Sequence, residues 1–157
     1  GGYSQAAISS LWGLAALVEM PSMALAGAAA DAVGRAPLLA AGAGGLALVF
    51  VGYLLLLPVL PALGGAQVLR GLAYGSYTAN AMTFTTESAA HDRRGSVSGV
   101  FAAVSSAGQL AGTLAGGFIV QAVGFGPLFA LGALGAAAAA MCFWQLRGRT
   151  SEPRFAG

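Results

Sequence analysis

The sequence predicts an all-α, polytopic membrane protein with five transmembrane helices, and three observations predict it. Of the 157 residues, 57% are hydrophobic and only 8% are charged, whereas a soluble domain carries about 25% charged residues. Five stretches each reach the length of about 20 apolar residues that a hydrocarbon core about 30 Å thick requires. The breaks between them are short and hold the Gly, Pro and charged residues at which a chain leaves the membrane.

The first predicted helix covers about residues 6–30 and contains "LWGLAALVEMPSMALAG". Gln5, Ser9, Trp12, Glu19 and either Ser22 or Met23 recur along it at steps near three and four, which puts them on one face. Pro21 removes a backbone hydrogen bond beside Glu19 and is expected to kink the helix. The second helix, about residues 38–57, offers only Tyr53 as a polar group and is expected to stop at Pro58 and Pro61. The third, about 66–86, is the most polar: Gln67, Arg70, Tyr74, Tyr77, Thr78, Asn80, Thr83, Thr85 and Thr86. The fourth, about 97–123, has a stripe of Ser98, Ser105, Gln109 and Thr113. Its glycines Gly108, Gly112 and Gly116 stand four apart, a spacing that predicts close packing against another helix. The fifth, about 128–146, is nearly featureless before Cys142 and Gln145, and residues 147–157 form a tail. The first, third and fourth helices are therefore expected around a polar interior, with the second and fifth toward lipid. A single Ser or Thr carries little of this argument, because it can bond its own backbone. The contrast between whole helices carries it.

Arginines orient the chain. Arg35 lies between the first and second helices, Arg93 and Arg94 between the third and fourth, and Arg147, Arg149 and Arg154 after the fifth. In a five-helix zigzag these segments share one side, and the opposite side carries no charge. The positive-inside rule makes the arginine side, with the C-terminus, cytoplasmic.

Two ions remain within the spans. A charge at bilayer centre costs about 2.5–3.5 kcal/mol on the insertion scale. A carboxylate persists there by protonating, by pairing or by facing a wet cavity, and removal from water favours its neutral form. Glu19 is thus either a proton carrier or a neutral strut bonded to a neighbouring helix. Arg70 either snorkels to the uncharged side as an anchor or faces the cavity.

Several functions are excluded or unsupported. A net charge of +2 with no continuous basic face gives no reason to expect nucleic acid. Cys142 is the only cysteine, so there is no internal disulfide and no Cys-based metal site, and no metal or cofactor is expected. The one histidine, His91, lies in a loop, and neither His-Glu-x-x-His nor Gly-x-Ser-x-Gly occurs, which argues against an enzyme. "GAGGLA", Gly42 to Ala47, imitates a dinucleotide fingerprint but sits inside an apolar span with no preceding strand. Without a lysine there is no phosphate-binding loop for an ATP-driven pump. A start at Gly-Gly-Tyr, with neither Met nor a signal-peptide n-region, reads as a piece of a longer protein.

The loop "GAAADAVGRAPLL" resembles the signature loop of the major facilitator superfamily at Gly27, Asp31, Gly34 and Arg35, with Ala36 where a second basic residue is usual. "LRGLAYGSY" is similar to the family's Arg-containing motif at Arg70 and Gly75, without its usual Gln. "ESAAHDRRGSVSGVFAAVSSAGQLAGTLAGGFIV" resembles the family's run of Glu, Arg-Gly and a glycine-rich helix. The three cover nearly the whole chain in order. The resemblance implies twelve helices in two halves, every third helix peripheral, and places these five as helices eight to twelve, with the amino-terminal half missing. "ALVEMPSMALAG" further resembles a sugar-efflux or drug-efflux branch, which has a similar Glu-x-Pro. It implies a permease of the bacterial inner membrane that contacts lipid, protons and a small-molecule substrate. The substrate cavity would be lined by Trp12, Ser22, Arg70, Tyr74, Tyr77, Asn80, Ser105 and Gln109, with Glu19 coupling protons. Asp31, Arg35, Glu87 and Arg94 would form a cytoplasmic gating network. The competing function is a non-transporting membrane scaffold or assembly subunit, which needs neither a buried carboxylate nor polar stripes.

Overall fold

Apolar chain in a bilayer must satisfy its own N–H and C=O groups, so it coils into helices. The computed structural model describes residues 4–56 and 60–146. Among these are α1 (Gln5–Val33), α2 (Arg35–Leu56), α3 (Leu60–Glu87), α4 (Arg94–Val123) and α5 (Phe125–Leu146), with one 3₁₀ turn at His91–Arg93. The expected tail 147–157, with Arg147, Arg149 and Arg154, lies outside the described residues, as does Pro58.

By length and composition, four helices can cross a membrane: α1, α2, α4 and α5. α3 has the length but not the apolarity, so the count falls one short of the five expected. The cause is its polar series from Gln67 to Thr86.

The helices also begin earlier than expected, and the proline breaks are the reason. Pro37, Pro61 and Pro127 sit in the first turns of α2, α3 and α5. First-turn N–H groups have no intrahelical acceptor, so a proline there costs nothing and starts a helix instead of stopping one. α1 runs unbroken through Pro21. The breaks expected at 31–37 and 124–127 contract to one glycine each. Gly34 has φ +84° and Gly124 φ +88°, where L side chains are strained. Their N–H groups close the preceding helices on the carbonyls of Ala30 (2.9 Å) and Val120 (3.0 Å).

α3 packs along α1 on one side and α2 on the other, and α2 packs along α5. α4 touches α3 and α5 lightly and does not touch α1 among the described residues. The core is mostly alanine: Ala15, Ala26 and Ala30 of α1, Ala36, Ala40 and Ala43 of α2, and Ala66, Ala73 and Ala81 of α3, with Leu39 and Val49 among them. Small residues let backbones meet, and without a hydrophobic drive in lipid that close contact holds helices together. A side chain on Gly71 would meet the Ala15 carbonyl oxygen at 2.5 Å, and one on Gly75 the Glu19 carbonyl oxygen at 2.8 Å. Gly42 and Gly45 meet Ala73 as closely, at 2.9 and 2.7 Å.

α2, expected to face lipid, instead brings Ala36, Leu39, Ala40, Ala43 and Val49 into the core. The glycine row of α4 meets no helix among the described residues: nothing lies within 4 Å of a side chain built on Gly108 or Gly112, and Gly116 meets only Leu128, at 3.5 Å. α4 has no buried residue, because its glycine face has no helix against it.

Candidate functional site

Two constellations stand at opposite ends of the bundle. The first joins the α1–α2 turn to the end of α3. The Arg35 guanidinium grips Glu87 with two hydrogen bonds, Nε to Oε2 at 2.5 Å and Nη2 to Oε1 at 2.7 Å. Its Nη1 also donates, at a long 3.4 Å, to Oδ1 of Asn80. Asn80 has no exposure, and its Nδ2 donates to the Ser76 carbonyl at 2.9 Å. Asp31 lines the same pocket of about 420 Å³ and adds attraction for Arg35. Hydrogen bonding from Arg35 holds the Glu87 carboxyl below its ordinary value, outweighing partial burial; the charge of Arg35, and then that of Arg94, pull the same way. Arg94 itself is exposed and forms no ion pair among the described residues. Of the four charges expected together, two are in contact and two act at a distance.

The second lies toward the other end, near the starts of α1 and α3 and the end of α2. The Arg70 guanidinium stacks over the Trp12 ring, 4.4 Å from its centroid, and its Nε donates to Oε1 of the buried Gln67 at 3.0 Å. Trp12, Arg70 and Tyr74 line one groove of about 350 Å³, closed along α2 by Leu46, Val49, Phe50 and Tyr53. Tyr53 is braced from behind by Phe129 of α5, ring centroids 5.3 Å apart.

Glu19 stands half-buried in the middle of α1. Its backbone is pressed against Gly75, yet its carboxyl has no hydrogen-bond or ion-pair partner among the described residues. Trp12 is seven residues away, two helical turns, and so on the same side of α1.

Other residues expected in a cavity are elsewhere. Ser22 is buried, and its hydroxyl donates to the Leu72 carbonyl of α3 at 2.8 Å. Asn80 belongs to the Arg35 cluster. Tyr77 packs edge-on against Phe143 of α5 at 6.1 Å. Ser105 and Gln109 are exposed on α4, and no contact brings them to Trp12 or Glu19.

Sequence reasoning missed Gln67 as the residue that aims Arg70. It also missed Gly71 and Gly75 as the packing pair. The signal for the second was present, because "GLAYG" has the same four-residue spacing as the α4 glycines.

The comparisons with known proteins bear on the whole chain. Residues 2–157 match the family model described as Major Facilitator Superfamily. No curated protein and no solved structure matches the chain.

Proposed function

The chain belongs to the major facilitator superfamily, and from that premise we propose that it is part of a proton-coupled secondary transporter that exports a small, sugar-sized or drug-like solute by alternating access. In this reading α3 also spans the bilayer, its polar series facing a wet path and not lipid. The five helices are helices eight to twelve, and a further half supplies the opposite wall, since such sites lie between two repeats. The arginine-rich side, carrying the Arg35–Glu87 pair, faces the cytoplasm.

The observation that carries the proposal is Glu19. It is a carboxyl at mid-span with no partner among the described residues. A strut would need a donor or acceptor on a neighbouring helix; toward α3, among the described residues, the side-chain hydrogen bond from α1 is made by Ser22. An unpartnered carboxyl can be charged when its surroundings are wet and neutral when they close, which gives two conformations different proton affinities. Pro21 lies beside it and leaves the Leu17 carbonyl without its usual intrahelical donor, a local softness in the backbone.

The test separates two activities in the full-length transporter in proteoliposomes. Glu19→Gln should keep solute exchange at equal concentrations, which needs no net proton movement, and should lose uphill transport driven by a pH gradient. Uphill transport at the wild-type rate in Glu19→Gln would place coupling on another group.

A further inference from the structure

The groove that holds Arg70 has a chemistry of its own. Arg70 is a permanent cation with no ion-pair partner among the described residues, and only its Nε is hydrogen-bonded, so both Nη groups are open. Gln67 and the Trp12 ring fix the plane of the guanidinium. The groove has no carboxylate among its described walls, which besides Arg70 are the rings of Trp12, Phe50, Tyr53 and Tyr74 and the aliphatic Leu46 and Val49. A preorganised fork beside an aromatic slot matches one class of ligand: a carboxylate or phosphate attached to a ring or another flat apolar body. The anion takes two parallel N–H donors, and the ring stacks among the aromatic walls. A neutral sugar would leave the charge of the guanidinium unmatched, whereas an anion neutralises it.

We propose that this groove is the solute subsite of the transporter and that it selects aromatic or amphipathic anions through Arg70. The inference rests on the transporter reading and names its substrate class. It also gives Glu19 a partner in the cycle. A proton carrier and an anion subsite on one side of α1 allow charge to be exchanged without bringing the two negative groups together.

The probes are 4-nitrobenzoate, its neutral counterpart 4-nitrobenzyl alcohol, and the cation 4-nitrobenzylamine, all of which quench tryptophan. In a Trp144→Phe background Trp12 is the remaining tryptophan, since the chain has 2. With the full-length transporter in phosphatidylcholine nanodiscs, and Trp12 its only tryptophan, 4-nitrobenzoate should quench Trp12 saturably with a Kd about tenfold or more below that of the alcohol, the size of one charge-assisted contact. The amine should bind more weakly than either. Arg70→Gln should abolish the preference, and Arg70→Lys should keep part of it, which distinguishes lost charge from lost folding. Equal Kd values for acid and alcohol, or a preference that survives Arg70→Gln, overturns the proposal. So does a loss of 4-nitrobenzoate binding that tracks added phosphatidylglycerol, because the site would then belong to a lipid headgroup. The binding contrast between acid and alcohol is read without a pH gradient, and uphill transport in Glu19→Gln is read separately, so the anion subsite and the proton coupling can fail separately.

Discussion

The Arg35–Glu87 pair yields a prediction whose size follows from its surroundings. The Arg35 side chain is 20% exposed and that of Glu87 53%. A pair so open to water is screened, and exposed pairs contribute about 0.2–1 kcal/mol, with two-pronged arginine contacts at the upper end. We assign the pair about 1 kcal/mol. Removing Glu87 costs that much, because the arginine left behind can turn to water. Removing Arg35 costs more. It also strips the Oδ1 of Asn80 of its donor, and Asn80 has no exposure at all. An orphaned buried acceptor costs about 1–3 kcal/mol, and the long 3.4 Å contact points to the lower end. Arg35→Met should therefore destabilise by about 2 kcal/mol and Glu87→Ala by about 1 kcal/mol, with a coupling of about 1 kcal/mol between them. The assay is a double-mutant cycle on unfolding in mixed micelles. The coupling is also pH-dependent. The folded-state value of Glu87 is lowered, so the contribution is full above the ordinary carboxylate value, near pH 4.3, and is lost as pH falls through the folded value. Equal losses in the two single variants would refute the role given to Asn80. A coupling unchanged well below about pH 4 would refute the ion pair.

Other expectations are simpler. Gly75→Val places a side chain 2.8 Å from the Glu19 carbonyl oxygen and should cost about 1–3 kcal/mol in the same unfolding assay. Gly108→Ala meets nothing within 4 Å and should be neutral or stabilising by up to about 1 kcal/mol; a loss like that of Gly75→Val would mean that an unseen helix packs there. Gly34→Ala forces a side chain to φ +84° and should cost about 1–2 kcal/mol. For orientation, single cysteines at Gly64, Ser96 and Gly126 in a Cys142→Ser background should react with an impermeant external thiol reagent at positions 64 and 126. Labelling at position 96 from outside would reverse the topology.

Helices were the legible part of this chain, because a long apolar run allows little else in lipid. Their ends were less so, since Pro61 reads equally as the stop of one helix or the first turn of the next. Packing was harder still. α2 is apolar all round, a pattern that fits both a lipid-facing helix and a buried one, and in the structure it packs along α3 and α5 while Leu48 and Leu55 stay exposed. Gly71 and Gly75 look no different in sequence from Gly108 and Gly112, because spacing shows that a helix can be approached and not whether one is there. In the site, the three- and four-residue steps placed Trp12 and Glu19 on one side of α1. They did not separate Glu19 from Ser22, which lies a fraction of a turn away and is consumed by α3. Asn80 showed the same ambiguity, since a polar residue in an apolar helix signals either a cavity or a buried partner, and its partner came from 45 residues away.

The central claim is that Glu19 changes its protonation during the transport cycle. Difference infrared spectroscopy of the full-length transporter, with and without solute, watches this directly. A carboxylic-acid carbonyl band should appear or vanish on solute binding, and it should be missing from the Glu19→Gln protein. A Glu19 signal that stays fixed, always acid or always carboxylate, across solute addition and across the physiological pH range would contradict the account.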